Sequence, residues 1–229
     1  MQADRPIRLA RIAAEGVVIV MSILLALAGD AWFEQRQDVR LETQELEGIR
    51  AQLGETRQLL LSSIADDEAG LIATTRLLQS VEEAEGTVSV LDSLLAWQGY
   101  TTMFVAPLSR FEAIAASGRL VLIRDDDLRA AIAGWPARVS NATTLAIGRR
   151  DFWGEDFMPG LWADQDLDDW LYTATPSGAM ISITVDNALK NMLRQRRFLD
   201  RSVLYRERIT LDQLDELLQM VERALAESV

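Results

Sequence analysis

Residues 16–29 read GVVIVMSILLALAG, fourteen positions without a charge, and the chain beyond them keeps a helical period for another fifty residues. As a helix the uncharged run covers ~21 Å of a ~30 Å hydrocarbon core. Ile12, Ala13 and Ala14 lengthen it on one side, and Trp32 and Phe33 on the other, where aromatic rings anchor at the headgroup level. Glu15 lies four residues after Arg11, the spacing at which the two charges pair on one helix face. The run is also short enough for a secretory h-region, with Ala26-Leu27-Ala28 as a cleavage site. The extended flanks favour a retained transmembrane helix over 12–33. Arg5, Arg8 and Arg11 ahead of it predict a cytoplasmic N-tail over 1–11. From Gln35 to Glu85 the apolar positions Val39, Leu46, Ile49, Leu53, Leu60, Ile64, Leu71, Leu78 and Val81 recur at steps dominated by three, four and seven. No proline interrupts them, and the likeliest break is at Ala65–Gly70. The reading is an all-α chain: one membrane helix continuing into a periplasmic helical domain over 34–229 with two long helices.

Composition excludes much chemistry. The 229 residues contain no His and no Cys. Ser-His-Asp catalysis, thiolate nucleophiles, histidine-held zinc or haem and cysteine-held clusters are therefore absent. No Gly-rich phosphate loop occurs, and acid pairs such as Glu82-Glu83 or Glu155-Asp156 stand without recognisable helpers. The expectation is a protein without catalytic residues, cofactor or small-molecule substrate. A formal charge of −12 argues against nucleic acid and suits basic protein surfaces better than anionic lipid. Lys190 is the sole lysine in an Arg-rich, Ala-rich chain, a bias typical of GC-rich bacterial genomes.

Beyond the first long helix, the turn at Glu85-Gly86 introduces a short apolar helix over Thr87–Tyr100. Pro107 opens another, through Phe111 and Ile114, which should stop at Ser117-Gly118. Asp125, Asp126 and Asp127 read as the cap and first turn of a helix through Leu128, Ile132, Trp135, Val139 and Leu145, kinked at Pro136. Pro176-Ser177-Gly178 marks a loop, and a last helix starts near Thr184 and ends near Glu227. Period-2 alternation is nearly absent, so no sheet is expected.

Two stretches carry a family resemblance. Glu15-Gly16, Ile23-Leu24-Leu25-Ala26-Leu27 and Asp30-Ala31-Trp32 mark the membrane helix, and Ser117-Gly118-Arg119-Leu120-Val121-Leu122-Ile123 followed by Leu128-Arg129 marks the middle of the chain. Both resemble a family of bacterial single-pass membrane proteins known only as a domain of unknown function. The resemblance implies an N-in anchor and an extracytoplasmic helical domain, and no activity.

Ser22, Ala26 and Gly29 form a small-residue strip for packing of the membrane helix against another. Phe152–Tyr172 gathers Phe152, Trp153, Phe157, Trp162, Trp170 and Tyr172 around Pro159-Gly160 and Asp164, Asp166, Asp168 and Asp169. Such rings beside acids suit a docking surface with Trp153, Trp162 and Trp170 as anchors, or else the core at a loop-rich end of the bundle. Asp164–Asp169 begins like a calcium loop but lacks Gly at its sixth position, and Thr175 stands where the twelfth needs an acid, so no metal is expected. By function the chain reads as a non-enzymatic accessory or scaffolding subunit bracing a larger integral-membrane assembly (respiratory, photosynthetic or transport) in the bacterial inner membrane, its partners other membrane subunits and the lipid bilayer. The alternative is an extracytoplasmic ligand-binding sensor domain acting through a partner protein.

Overall fold

The computed structural model describes residues 5–163 and 178–227, with the side chains of 5–20 and 161–163 outside that description. Helix α1 runs unbroken over Arg5–Glu82, 78 residues or ~117 Å. A short ribbon follows: β1 (Gly86–Leu91) pairs antiparallel with β2 (Met180–Val185), Val88 opposite Ile183. Between them lie α2 (Asp92–Gln98), α3 (Ser109–Ala116), a 3₁₀ turn (Arg119–Leu122), α4 (Asp126–Phe152), a π-helical turn (Trp153–Phe157) and α5 (Met158–Ala163). Helix α6 (Asn187–Glu227) completes the described chain. Helices make up 83% of the structure, so the all-α class holds despite the ribbon.

Three of the expected elements need correction. No break falls at Ala65–Gly70. Gly48, Gly54 and Gly70, three of the five glycines in α1, each cost about 1 kcal/mol against Ala, but packing on both sides of Gly70 outweighs this. Thr87–Leu91 is a strand rather than the start of a helix, because Val88 and Val90 alternate with Thr87 and Ser89 and find a matching alternation in Ile181, Ile183 and Val185. The last helix starts at Asn187, where the Asp186 carboxylate accepts a hydrogen bond from the Leu189 amide at 2.7 Å and caps it. The Asp125 cap is as expected: its Oδ1 accepts from the Asp127 and Leu128 amides at 2.9 and 3.0 Å.

Contacts set the directions of the three long helices. As the numbering climbs on α1 it falls on α6: Arg57 meets Asp215, Ser63 meets Glu207, Thr74 meets Asp200 and Glu82 meets Arg194. These two are antiparallel. Helix α4 begins near Glu42 and reaches Asp67 through Arg149, so it runs with α1. The apolar interior falls into two clusters. One holds Leu46, Leu53, Phe111, Trp135, Leu217 and Val221; the other holds Leu78, Val90, Phe157, Ile183 and Leu193.

The motif around Ser117–Ile123 has a local physical cause. Gly118 takes φ +70°, a left-handed conformation that only Gly adopts cheaply, and turns the chain out of α3. Ile123 is then fully buried, and the Arg129 guanidinium donates to its carbonyl at 2.7 Å. Arg119 reaches Glu45 at 2.6 Å, while Arg124 gives Glu42 both its backbone amide (2.9 Å) and its guanidinium (2.6 Å). The motif is thus a latch that clamps α1 where it enters the domain. Glu42 is buried and takes both bonds, so Glu42→Ala should cost about 1–2 kcal/mol, given that Arg124 is largely exposed. Hydrogen exchange should show the Arg124 amide losing protection while amides in the second cluster keep theirs. Equal protection at Arg124 would mean that the latch is decorative.

Candidate functional site

Every residue of α1 from Met21 to Asp38 is exposed, and packing onto the domain begins at Val39. Ile23, Leu24, Leu25, Leu27, Trp32 and Phe33 are all more than half exposed, so the helix projects as a stalk whose surface from Met21 to Phe33 is mostly apolar. Ser22, Ala26 and Gly29 lie on this exposed surface, and a Cβ at Gly29 would meet nothing within 4 Å. The Arg36 guanidinium stacks 4.1 Å from the Trp32 ring centroid. Among the described residues no helix is long and apolar enough to cross a membrane. The side chains of 12–20, the first part of the span expected at 12–33, lie outside them.

The aromatic stretch divides. Phe152 and Phe157 are buried in the second cluster at 6.0 Å between centroids. Trp153 packs against that cluster half-buried, and its indole N–H donates to the Gln98 carbonyl at 2.7 Å. The side chain of Trp162 and the whole of Trp170, with Asp164–Asp169, lie outside the described residues.

The two apolar clusters are separated by a layer of buried charge, which the sequence reading missed. Arg149 on α4 reaches Asp67 on α1 at 2.8 Å and Asp200 on α6 at 3.6 Å. Arg196 pairs with Asp200 at 3.2 Å, and its guanidinium lies 5.6 Å from the Phe157 ring centroid. All four are nearly inaccessible to solvent. The Thr74 hydroxyl lies 3.3 Å from both Gln98 Oε1 and Asp200 Oδ2. Arg196 also donates to the Tyr100 carbonyl at 2.8 Å and Arg149 to the Thr102 carbonyl. The segment after α2 is therefore stapled between the three helices by guanidinium groups, which satisfy carbonyls that burial would otherwise strand.

Glu207 is the odd member. Two guanidiniums balance Asp67 and Asp200, leaving its charge unmatched. Glu207 Oε1 accepts from the Ser63 hydroxyl at 2.7 Å. Its Oε2 and Asp67 Oδ2 are buried with no hydrogen-bond partner among the described residues. Burial first, and the Asp67 charge second, push the Glu207 carboxyl up to about 7. Burial likewise pushes Asp200 up, against the pull of Arg196 and Arg149.

Among the described residues no group of three or more acids could hold a metal ion. Asp125–Asp127 serve α4 as its cap and first turn. The signal for the charge layer stands in the α6 stripe. Between Leu193 and Leu214, the inward positions Arg196, Asp200, Glu207 and Thr210 keep helical spacing while being polar. No family model, curated protein or solved structure matches the chain.

The raised carboxyl fixes the sign of a pH effect. Glu207 holds its proton in the folded state and loses it near the ordinary carboxylate range when unfolded. The Glu207 contribution to stability is therefore full below about pH 4.5 and is lost as the pH rises towards about 7. Glu207→Gln keeps the Ser63 bond and offers Asp67 a permanent N–H donor. Denaturant titrations should find this variant more stable above pH 7, on the order of 2–3 kcal/mol, with the loss between pH 4.5 and 7 flattened. A wild-type profile flat over that window would show Glu207 ionised in the fold.

Proposed function

We propose that this chain is a non-enzymatic accessory subunit of a larger integral-membrane assembly of the respiratory, photosynthetic or transport kind. Residues 12–33 hold it in a bacterial inner membrane with the N-terminus cytoplasmic, and the helical domain stands outside as a brace. The supporting observation is the stalk. Large apolar side chains from Met21 to Phe33 are each more than half exposed on a helix that continues directly into the buried core. Covering each contributes about 1.5–3 kcal/mol, so together they leave on the order of 10 kcal/mol unrealised in water. A bilayer or the helices of a membrane partner would supply that cover. Trp32 and Phe33, with Arg36 above the indole, suit the headgroup level, and the open surface at Ser22, Ala26 and Gly29 admits a neighbouring helix closely. The short uncharged run needs Ile12–Ala14 and a paired Arg11–Glu15 to reach across. In this reading Trp153, Trp162 and Trp170 are the docking anchors.

The absence of Cys makes topology directly measurable. Glu85→Cys places one thiol in the exposed turn before β1. A membrane-impermeant maleimide should label it in intact spheroplasts, and the labelled chain should stay with the membrane through an alkaline wash. Labelling only after lysis would put the domain in the cytoplasm. Release by the wash would remove the anchor.

A further inference from the structure

The outer face of α6 carries a second uncovered surface, far from the stalk. Arg194, Phe198, Arg201, Tyr205 and Arg208 follow one another at steps of four, three, four and three, and all five are exposed. Phe198 is 68% and Tyr205 67% exposed, more than most large apolar side chains of the domain. Two shallow grooves flank the stripe. One of about 420 Å³ runs beside Phe198, between Arg197 and Arg201. The other, of about 550 Å³, lies between Tyr205 and Ile72 of α1, itself 53% exposed. Arg194 and Arg208 at the two ends are paired with Glu82 and Glu68 of α1. Arg201 at the centre has no ion pair among the described residues. Arg and aromatic rings are enriched at protein–protein hot spots, and here they form a strip that interrupts an otherwise acidic chain.

We infer that this stripe docks an acidic amphipathic helix of a partner protein, with apolar anchors two turns apart in the two grooves and carboxylates over Arg201. Phe198 and Tyr205 are seven residues, ~10 Å, apart, the i/i+7 repeat that a docked helix presents. Charge decides against the other occupants. A second copy laid on the same stripe would set Arg against Arg about Arg201. A nucleic acid would meet the net −12 of the chain and the flanking Glu68 and Glu82. A bilayer is out of reach: Glu68, level with the stripe, is 35 helical residues or ~50 Å beyond Phe33. That last exclusion rests on the anchor proposed above.

The full-length chain in detergent micelles can be titrated with a fluorescent helical peptide carrying Leu at i, i+3 and i+7 and Glu on its flanks. The control has Lys for every Glu. The acidic peptide should bind at least about tenfold more tightly than the control, and more weakly as salt rises. Arg201→Glu should reverse the preference. Phe198→Ala with Tyr205→Ala should weaken binding about tenfold or more, with far-UV circular dichroism unchanged in every variant. Equal binding of the two peptides, or indifference to Arg201→Glu, overturns the inference. So does a dimer in sedimentation that Phe198→Ser abolishes, or an oligonucleotide that outcompetes the peptide. Peptide affinity does not depend on where the anchor sits, so the labelling of Glu85→Cys reports separately on topology.

Discussion

One unbroken helix sets everything else. Helix α1 supplies the exposed stalk, one wall of both apolar clusters and three members of the charge layer, Ser63, Asp67 and Thr74. Because the backbone hydrogen bonds run through without a hinge, a displacement of the stalk is a displacement of the domain. The latch of Arg110, Arg119 and Arg124 on Glu42 and Glu45 strengthens the point of entry, where a lone helix would otherwise bend. Stiffness of this kind suits a brace, and leaves little provision for a signal that needs the domain to move against its anchor.

The charge layer sets the register of that arrangement. Leu and Val tolerate sliding of one helix past another, whereas Arg149 and Arg196 do not. A shift of one turn between α1 and α6 would separate Asp200 from Thr74 and Glu207 from Ser63. The layer adds little to stability in itself, since desolvation offsets most of the Coulomb attraction, but removing one member leaves its partner charged and buried. Two guanidiniums face two aspartates in this layer, and burial beside Asp67 raises the Glu207 carboxyl, so that its raised pKa follows from the architecture.

The long helices were legible because their apolar residues recur at helical spacing over many turns, as in Leu46–Val81 and Leu189–Leu225. The Asp125 cap and the Gly118 stop were legible for local reasons of the same clarity. The ribbon was not. Five or six alternating residues weigh little, and Thr87–Leu91 takes its strand form from a partner ninety residues away. The charge layer was written as polar residues inside the α6 stripe, but spacing alone cannot distinguish a buried Arg196 from a gap in the apolar face. The Arg–aromatic stripe needed the fold as well, to show that Phe198 and Tyr205 face outward while Val203 and Leu204 face in.

The brace proposed above must have something to hold. The full-length chain, extracted from its own membrane in mild detergent and weighed intact by native mass spectrometry, should emerge with other integral-membrane chains in fixed stoichiometry. A chain that leaves the membrane without detergent and flies alone would contradict the assignment of the stalk and of the domain above it.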